Sequence, residues 1–147
     1  MSEIHDALFR IQKAAPSLRK DARNPHFGNT YITLDAVMDA VKPLLHAEGI
    51  LIMQLPAAAG PEPALTTVLY HTESETYVSG TMPMVLDRQG PQAVGSAITY
   101  YRRYSILSML GLVADEDDDA ESAHSTTDQK DPGAVASGGS IPSSARF

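Results

Sequence analysis

Large apolar residues all but stop at Val113, and this break limits what the chain can fold into. Among the 28 residues from Ala120 to Phe147 there are six Ser, three Gly and two Pro, and only Val135, Ile141 and Phe147 are large and apolar. Such a stretch cannot bury enough surface to offset the entropy of ordering it, so residues 115–147 are expected to form a disordered tail, acidic and then Ser/Gly/Pro-rich. A core must come from residues 1–114. Charge divides at the same place. Residues 1–114 carry nine Lys/Arg and ten Asp/Glu, net -1, whereas residues 115–147 carry two and eight, net -6. The overall net charge of -7 therefore belongs to the tail, and a near-neutral body leaves room for a local basic patch and a polyanionic partner.

With no cysteine in the chain, a disulfide framework, a cysteine nucleophile, a thiolate zinc site and an iron–sulfur cluster are all excluded. No apolar run approaches the roughly 18 residues of a membrane span. The opening Met-Ser-Glu-Ile-His-Asp has neither the basic nor the apolar region of a secretory signal, so a reducing cytoplasm is the expected compartment.

Within the body, hydrophobic period assigns the elements. Ile4, Ala7, Leu8, Ile11 and Ala15 recur at three- and four-residue spacing, which predicts an amphipathic helix over 3–15, capped by Ser2 and stopped by Pro16. Residues 16–30 are polar, broken by Pro25 and Gly28, and read as a loop carrying Arg19, Lys20 and Arg23. Thr33 should cap a second helix near 34–48, with Pro43 kinking it and Gly49 ending it. The period then shortens. Ile50–Leu55 reads as a buried strand, 56–64 as a Pro/Gly/Ala loop, 65–71 as a second strand, and the run through Tyr77 to Met84 as a third that ends at a sheet edge at Pro83. Pro91 suits the first position of a third helix that runs to Leu110 and stops at Gly111. The order helix, helix, strand, strand, strand, helix predicts an α+β fold: a small antiparallel three-stranded sheet capped by helices.

The third helix carries the most information. At roughly 100° per residue, Gln92, Ser96, Thr99 and Arg103 fall on one face, flanked by Gly95 and Arg102, with Val94, Ala97, Ile98 and Tyr101 opposite. One side can cover a sheet; the other is a stripe of hydrogen-bonding groups around a guanidinium. Beyond Ser105 the apolar residues Ile106, Leu107, Met109 and Leu110 point several ways, so that end should be buried, and a second subunit could bury it. Two readings of the polar stripe remain open. Either Arg102 and Arg103 are a solvated face paired with carboxylates while the tyrosines pack the core, or they bind phosphate while Tyr100 offers a ring to bases.

The stretch Gln92-Ala-Val-Gly-Ser-Ala-Ile-Thr-Tyr-Tyr-Arg-Arg-Tyr-Ser-Ile, followed by Leu110-Gly111-Leu112 and Asp117-Asp118-Asp119, closely resembles the signature of the ERF (essential recombination function) family of phage and prophage single-strand DNA annealing proteins. Lys20-Asp-Ala-Arg-Asn-Pro-His-Phe-Gly-Asn-Thr-Tyr-Ile-Thr-Leu, Pro43-Leu-Leu and Gly49-Ile resemble the same family's N-terminal block. The resemblance spans about residues 5–120, and the tail shows no matching motif. It implies a β-β-β-α annealing core and a non-enzymatic, ATP-independent role: binding single-stranded DNA and annealing complementary strands in phage-type recombination within the bacterial host cytoplasm. The implied DNA-binding set is Arg102, Arg103, Lys20, Arg23, Gln92, Ser96, Thr99 and Tyr100, with Asn24, Phe27 and Tyr31 shaping the strand path. Single-stranded DNA and further copies of the chain, in a ring or helical filament, are the expected partners. A phage exonuclease or a host single-strand binding protein would be a further one. No cofactor is expected; neither a phosphate-binding G-x-x-x-x-G-K-[ST] nor a G-x-G-x-x-G is present.

Two alternatives stand beside this reading. One is a protein that coats single strands without pairing them. The other is a metal-dependent nuclease using Asp115, Asp117 and Asp119 of the run Asp115–Asp119. Consecutive acids more often form a solvated run, and these follow a helix C-terminus, where negative charge is unfavourable and calls for a compensating basic surface. The five histidines are scattered without an H-E-x-x-H pair.

Overall fold

The computed structural model describes residues 2–26 and 28–114. The tail expected to be disordered, the acidic run 115–119 and Phe27 lie outside the described residues. The element order is α1 (Glu3–Ala14), β1 (Ala22–Arg23), β2 (Thr30–Tyr31), α2 (Leu34–Ala47), β3 (Ile50–Ala59), β4 (Glu62–His71), β5 (Thr76–Pro83) and α3 (Pro91–Leu110). The described fold is α+β, as expected, with a three-stranded antiparallel meander β3-β4-β5 and a separate two-stranded ladder β1-β2.

Helix boundaries follow local chemistry. The Thr33 side chain accepts a hydrogen bond from the Ala36 backbone N–H at 3.2 Å, capping α2 as its sequence position implies. Helix α2 continues through Pro43 to Ala47. Gly111, at φ 64, closes α3 in the left-handed conformation, and the Leu112 N–H returns to the Leu107 carbonyl at 2.9 Å. Ser2 departs from expectation. Its hydroxyl lies 3.1 Å from His5 Nδ1 and makes no cap to the backbone, although the Ser2 carbonyl still starts the helix.

Two expected loops are ordered as strands. Residues 56–64 continue the sheet instead of leaving it. Ala59 pairs with Glu62, so β3 and β4 meet at the two-residue turn Gly60-Pro61, with Gly60 at φ 63. Proline and alanine are weak strand formers, but Pro56 lies on an edge strand, where a missing N–H leaves no central ladder bond unmade. Within the expected 16–30 loop, Ala22 pairs with Tyr31 and Arg23 with Thr30. A two-residue ladder has no periodicity for a sequence to display.

The sheet has two unlike faces. Leu65, Thr67, Leu69 and His71 of β4 are buried on one side, against the helices. The core there joins Ile4, Ala7 and Ile11 of α1, Val37, Val41 and Leu45 of α2, Ile50 and Leu69 of the sheet, and Ile106, Leu107 and Leu110 of α3. Each large side chain fully buried this way contributes roughly 1.5–3 kcal/mol. The all-round apolar end of α3 is thus buried within the chain itself by α1 and α2. It needs no second subunit, because the α1 and α2 stripes converge on it. The Gln12 side-chain amide adds a cross-tie, donating to the Leu110 carbonyl at 3.0 Å.

Among the described residues no helix covers the other face. Register places Leu51, Tyr70 and Tyr77 in one cross-strand row, and Leu55 farther along β3. Leu51, Leu55 and Tyr77 are 44%, 48% and 63% exposed.

Candidate nucleic-acid interface

The buried residues of α3 all fall in its second half: Ser105, Ile106, Leu107 and Leu110. Its first half runs past the core. Ala97, Ile98 and Tyr101 are half-buried as the helical face predicts, but Val94, expected to be covered, is 37% exposed. This projecting half forms one wall of an open groove of about 1470 Å³. The other walls come from the 85–90 segment and from Asn24 and His26 at the tip of the β1–β2 hairpin. Gln92, Ser96 and Tyr100 of the expected site line it together with Arg88 and Gln89. The Val85 N–H donates to the Tyr101 hydroxyl at 2.9 Å and fixes the start of the 85–90 segment on the helix.

Arg103 is held differently from a solvated surface arginine. Its guanidinium carbon lies 5.0 Å from the Tyr31 ring centre, 5.6 Å from that of Tyr100 and 5.2 Å from that of Tyr104. All three distances are within cation–π range. Tyr100 and Tyr104 touch each other at 4.5 Å between centres, and Tyr101 meets Tyr100 edge-on at 5.2 Å. Burial raises the Tyr100 phenol above its ordinary value, with the neighbouring Tyr104 adding to the shift, so the ring is neutral at physiological pH.

Tyr31 reaches this cluster because the preceding segment is clamped. Asp21 accepts the Thr33 N–H on Oδ1 and the Thr33 hydroxyl on Oδ2, both at 2.7 Å, tying β1 to the start of α2. Those two bonds, with the positive charge of Arg103, hold the Asp21 carboxyl below the usual carboxylate range. The Lys20–Thr33 stretch and the third helix, far apart in sequence, are thereby brought face to face.

The remaining expected residues are dispersed around this centre. Arg102 is half-buried on the sheet side of α3. Its Nε donates to Gln54 Oε1 at 3.0 Å, while Gln54 Nε2 donates to the Arg102 carbonyl at 3.0 Å and to Thr67 Oγ1 at 3.1 Å. Arg102 therefore already serves to fasten α3 to β3 and β4. Thr99 is exposed, and its hydroxyl donates back to the Gly95 carbonyl at 3.2 Å. Arg23 is exposed beside the hairpin tip, and Lys20 is half-buried. Sequence reasoning left the ring of Tyr104 between core packing and base stacking, and it did not assign the groove residues His26, Arg88 and Gln89. Only Tyr104 left a signal, the four-residue spacing of Tyr100 and Tyr104. Among the described residues no cluster of three or more His, Asp or Glu could hold a metal ion, and the candidates Asp115, Asp117 and Asp119 lie outside them.

A helix-backed meander that presents an arginine ringed by tyrosines beside an open groove defines a small α+β protein. The chain belongs to the ERF superfamily, whose family model matches residues 4–138. The match extends past Asp119 into the Ser/Gly-rich stretch, where the sequence offered no recognisable motif. Neither a curated protein nor a solved structure matches the chain. Membership of this family supports a role in phage-type recombination and annealing in general, in a family of annealing proteins and not of catalysts. No described helix is long and apolar enough to cross a membrane.

Proposed function

We propose that this protein binds single-stranded DNA and anneals complementary strands without ATP, as a multi-subunit assembly acting in phage-type homologous recombination in the bacterial host cytoplasm. The observation that carries the reading is the Tyr31–Arg103–Tyr100–Tyr104 cluster at the side of the groove. Annealing brings two polyanions together, so phosphate charge must be neutralised while base edges stay available. Arg103, with Lys20 and Arg23, supplies cationic contacts that give affinity without sequence preference. Stacking engages the faces of a guanidinium and phosphate its edge, so the ring contacts of Arg103 are compatible with that role. Gln92, Ser96 and Thr99 offer hydrogen bonds along the same helix face, and Tyr100 offers a ring. Arg102 contributes positive charge from its fastened position.

The division into an annealing core, 1–114, and a tail, 115–147, belongs to this proposal. So does self-association, which we assign to the uncovered sheet face with Leu51, Leu55 and Tyr77 and not to the sheet edges. Pro56 and Pro83 interrupt the hydrogen-bonding rows of the two edge strands, which blunts edge-to-edge pairing. A head-to-tail contact of that face would close a ring or propagate a filament.

The deciding experiment is annealing of complementary oligonucleotides in the absence of nucleotide, monitored beside light scattering. Faster duplex formation by a multi-subunit species is expected. Binding without acceleration would leave the coating-protein alternative. Shortening of the substrate in Mg²⁺, abolished by chelation, would favour the nuclease. A monomer at micromolar concentration with and without DNA would remove the assembly, and Leu51→Lys with Leu55→Lys should weaken it without unfolding the chain.

A further inference from the structure

The groove beside α3 and the ring of Tyr100 share a wall, and together they make a subsite that the phosphate contacts do not account for. Tyr100 is held on three sides, by Arg103, Tyr104 and Tyr101, yet 49% of it is exposed and it lines the groove. A ring fixed in place yet half-exposed loses little side-chain entropy when a flat ligand stacks on it. His26 and Gln89 also line the groove, with Gln92 and Ser96 on the helix of Tyr100. Carboxamide, imidazole and hydroxyl groups each include donor and acceptor atoms, so they can meet the polar edge of any base. Arg88, beside Asp87 in the same lining, brings a cation to the groove for an adjoining phosphate.

We propose that this groove receives an unstacked nucleobase of the bound single strand against the exposed part of the Tyr100 ring, an inference that rests on the single-strand reading above. A base lodged there is withheld from pairing. It must leave the groove as the complementary strand arrives, and a duplex, whose bases are stacked and paired, has none to offer. The subsite therefore favours the substrate over the annealed product and lets the product go.

The test uses the full chain and two probes of equal length and charge, oligo(dT) and an abasic oligodeoxynucleotide with the same phosphate backbone. The chain has no tryptophan, so tyrosine emission reports stacking directly. Wild-type protein should bind oligo(dT) about five- to 150-fold more tightly than the abasic strand, the worth of one base–aromatic stack, with quenching of tyrosine emission by oligo(dT) alone. Tyr100→Leu should lose most of that preference and of the quenching. Ser96→Leu, which fills the groove from an exposed position and leaves the ring cluster intact, should do the same. Equal wild-type affinity for the two probes, or an undiminished preference in both variants, would overturn the subsite while leaving the single-strand reading in place. Failure of the wild type to bind either probe would overturn both.

Discussion

The Arg103 guanidinium lies 5.0 Å from the centre of the Tyr31 ring, joining the third helix to a two-residue ladder near the opposite end of the body's sequence. The contact makes the charge at position 103 a fixed feature and gives the two segments that resemble the ERF signature a physical reason to occur together. Arg103→Ala should weaken single-strand binding nearly uniformly across sequences and reduce the salt slope by about 0.7, one phosphate's worth on a single strand. Tyr31→Ala should weaken binding less and leave the slope unchanged, since the ring carries no charge. Lys20→Ala and Arg23→Ala should act in the same direction as Arg103→Ala. Fluorescence anisotropy of a labelled oligonucleotide across a salt titration checks all four, and an unchanged slope in Arg103→Ala would remove it from the phosphate path.

Two glycines, one within α3 and one at its end, should respond oppositely to alanine. A Cβ on Gly95 would meet nothing within 4 Å, so Gly95→Ala should stabilise the fold by about 0.4–1 kcal/mol through helix propensity and a less flexible unfolded chain. Gly111 sits at φ 64 with Gln12 Nε2 3.2 Å from where a Cβ would stand. Gly111→Ala should destabilise by roughly 1–2 kcal/mol. Urea unfolding followed by circular dichroism distinguishes the two. If Gly95→Ala also weakens DNA binding while stabilising the fold, the open space at position 95 is used by the ligand.

Acid should loosen two surface clamps. Asp21 is held below the usual carboxylate range by the Thr33 N–H and hydroxyl, and Glu48 by its hydrogen bond and ion pair with Arg10, which closes to 2.7 Å. A depressed carboxyl stabilises the fold fully above its unfolded value, and the contribution fades as pH falls through the folded value. Melting temperature should therefore hold from pH 7 to about 4, near the unfolded carboxylate value, and decline below it. The Asp21→Asn, Glu48→Gln double variant should melt lower at pH 7 and show a shallower decline. Parallel curves for the two proteins would sink this assignment.

The tail should be dispensable for folding and restrain binding. Ala114, the last described residue, is bridged to Leu18, directly before Arg19 and Lys20. Removing residues 120–147 while keeping the acidic run 115–119 should leave folding, assembly and annealing largely intact. Single-strand affinity should be equal or only slightly higher, because residues 120–147 carry three acidic and two basic side chains and the acidic run that would compete with DNA stays in place. Any gain should fade with salt, since exposed charges more than about 8 Å apart are screened at physiological ionic strength. A truncated protein that fails to assemble would make the tail structural. One that assembles but no longer supports recombination in cells would make it a recruitment segment.

Local features were legible in the order of residues. Periodicity marked α1, α2 and the meander. The Pro91 and Gly111 boundaries of α3 were legible because each rests on the backbone conformation of a single residue, and Thr33 because one side chain caps its own helix. The polar stripe of α3 was legible for the same reason, since a helix fixes which of its own residues share a face. What that stripe meets was set by tertiary packing alone. Arg102 and Arg103 are neighbours with the same side chain, yet one is fastened to Gln54 over the sheet and the other is ringed by three tyrosines. The difference comes from the roughly 100° turn between them and from which strand or hairpin lies on each side. The extension of β3 through Pro56 to Ala59 was likewise invisible, because pairing with Glu62–Leu65 holds residues whose own preference is for a loop. Contacts between distant segments are fixed by the packing of the whole core, and no period or spacing within either segment encodes them.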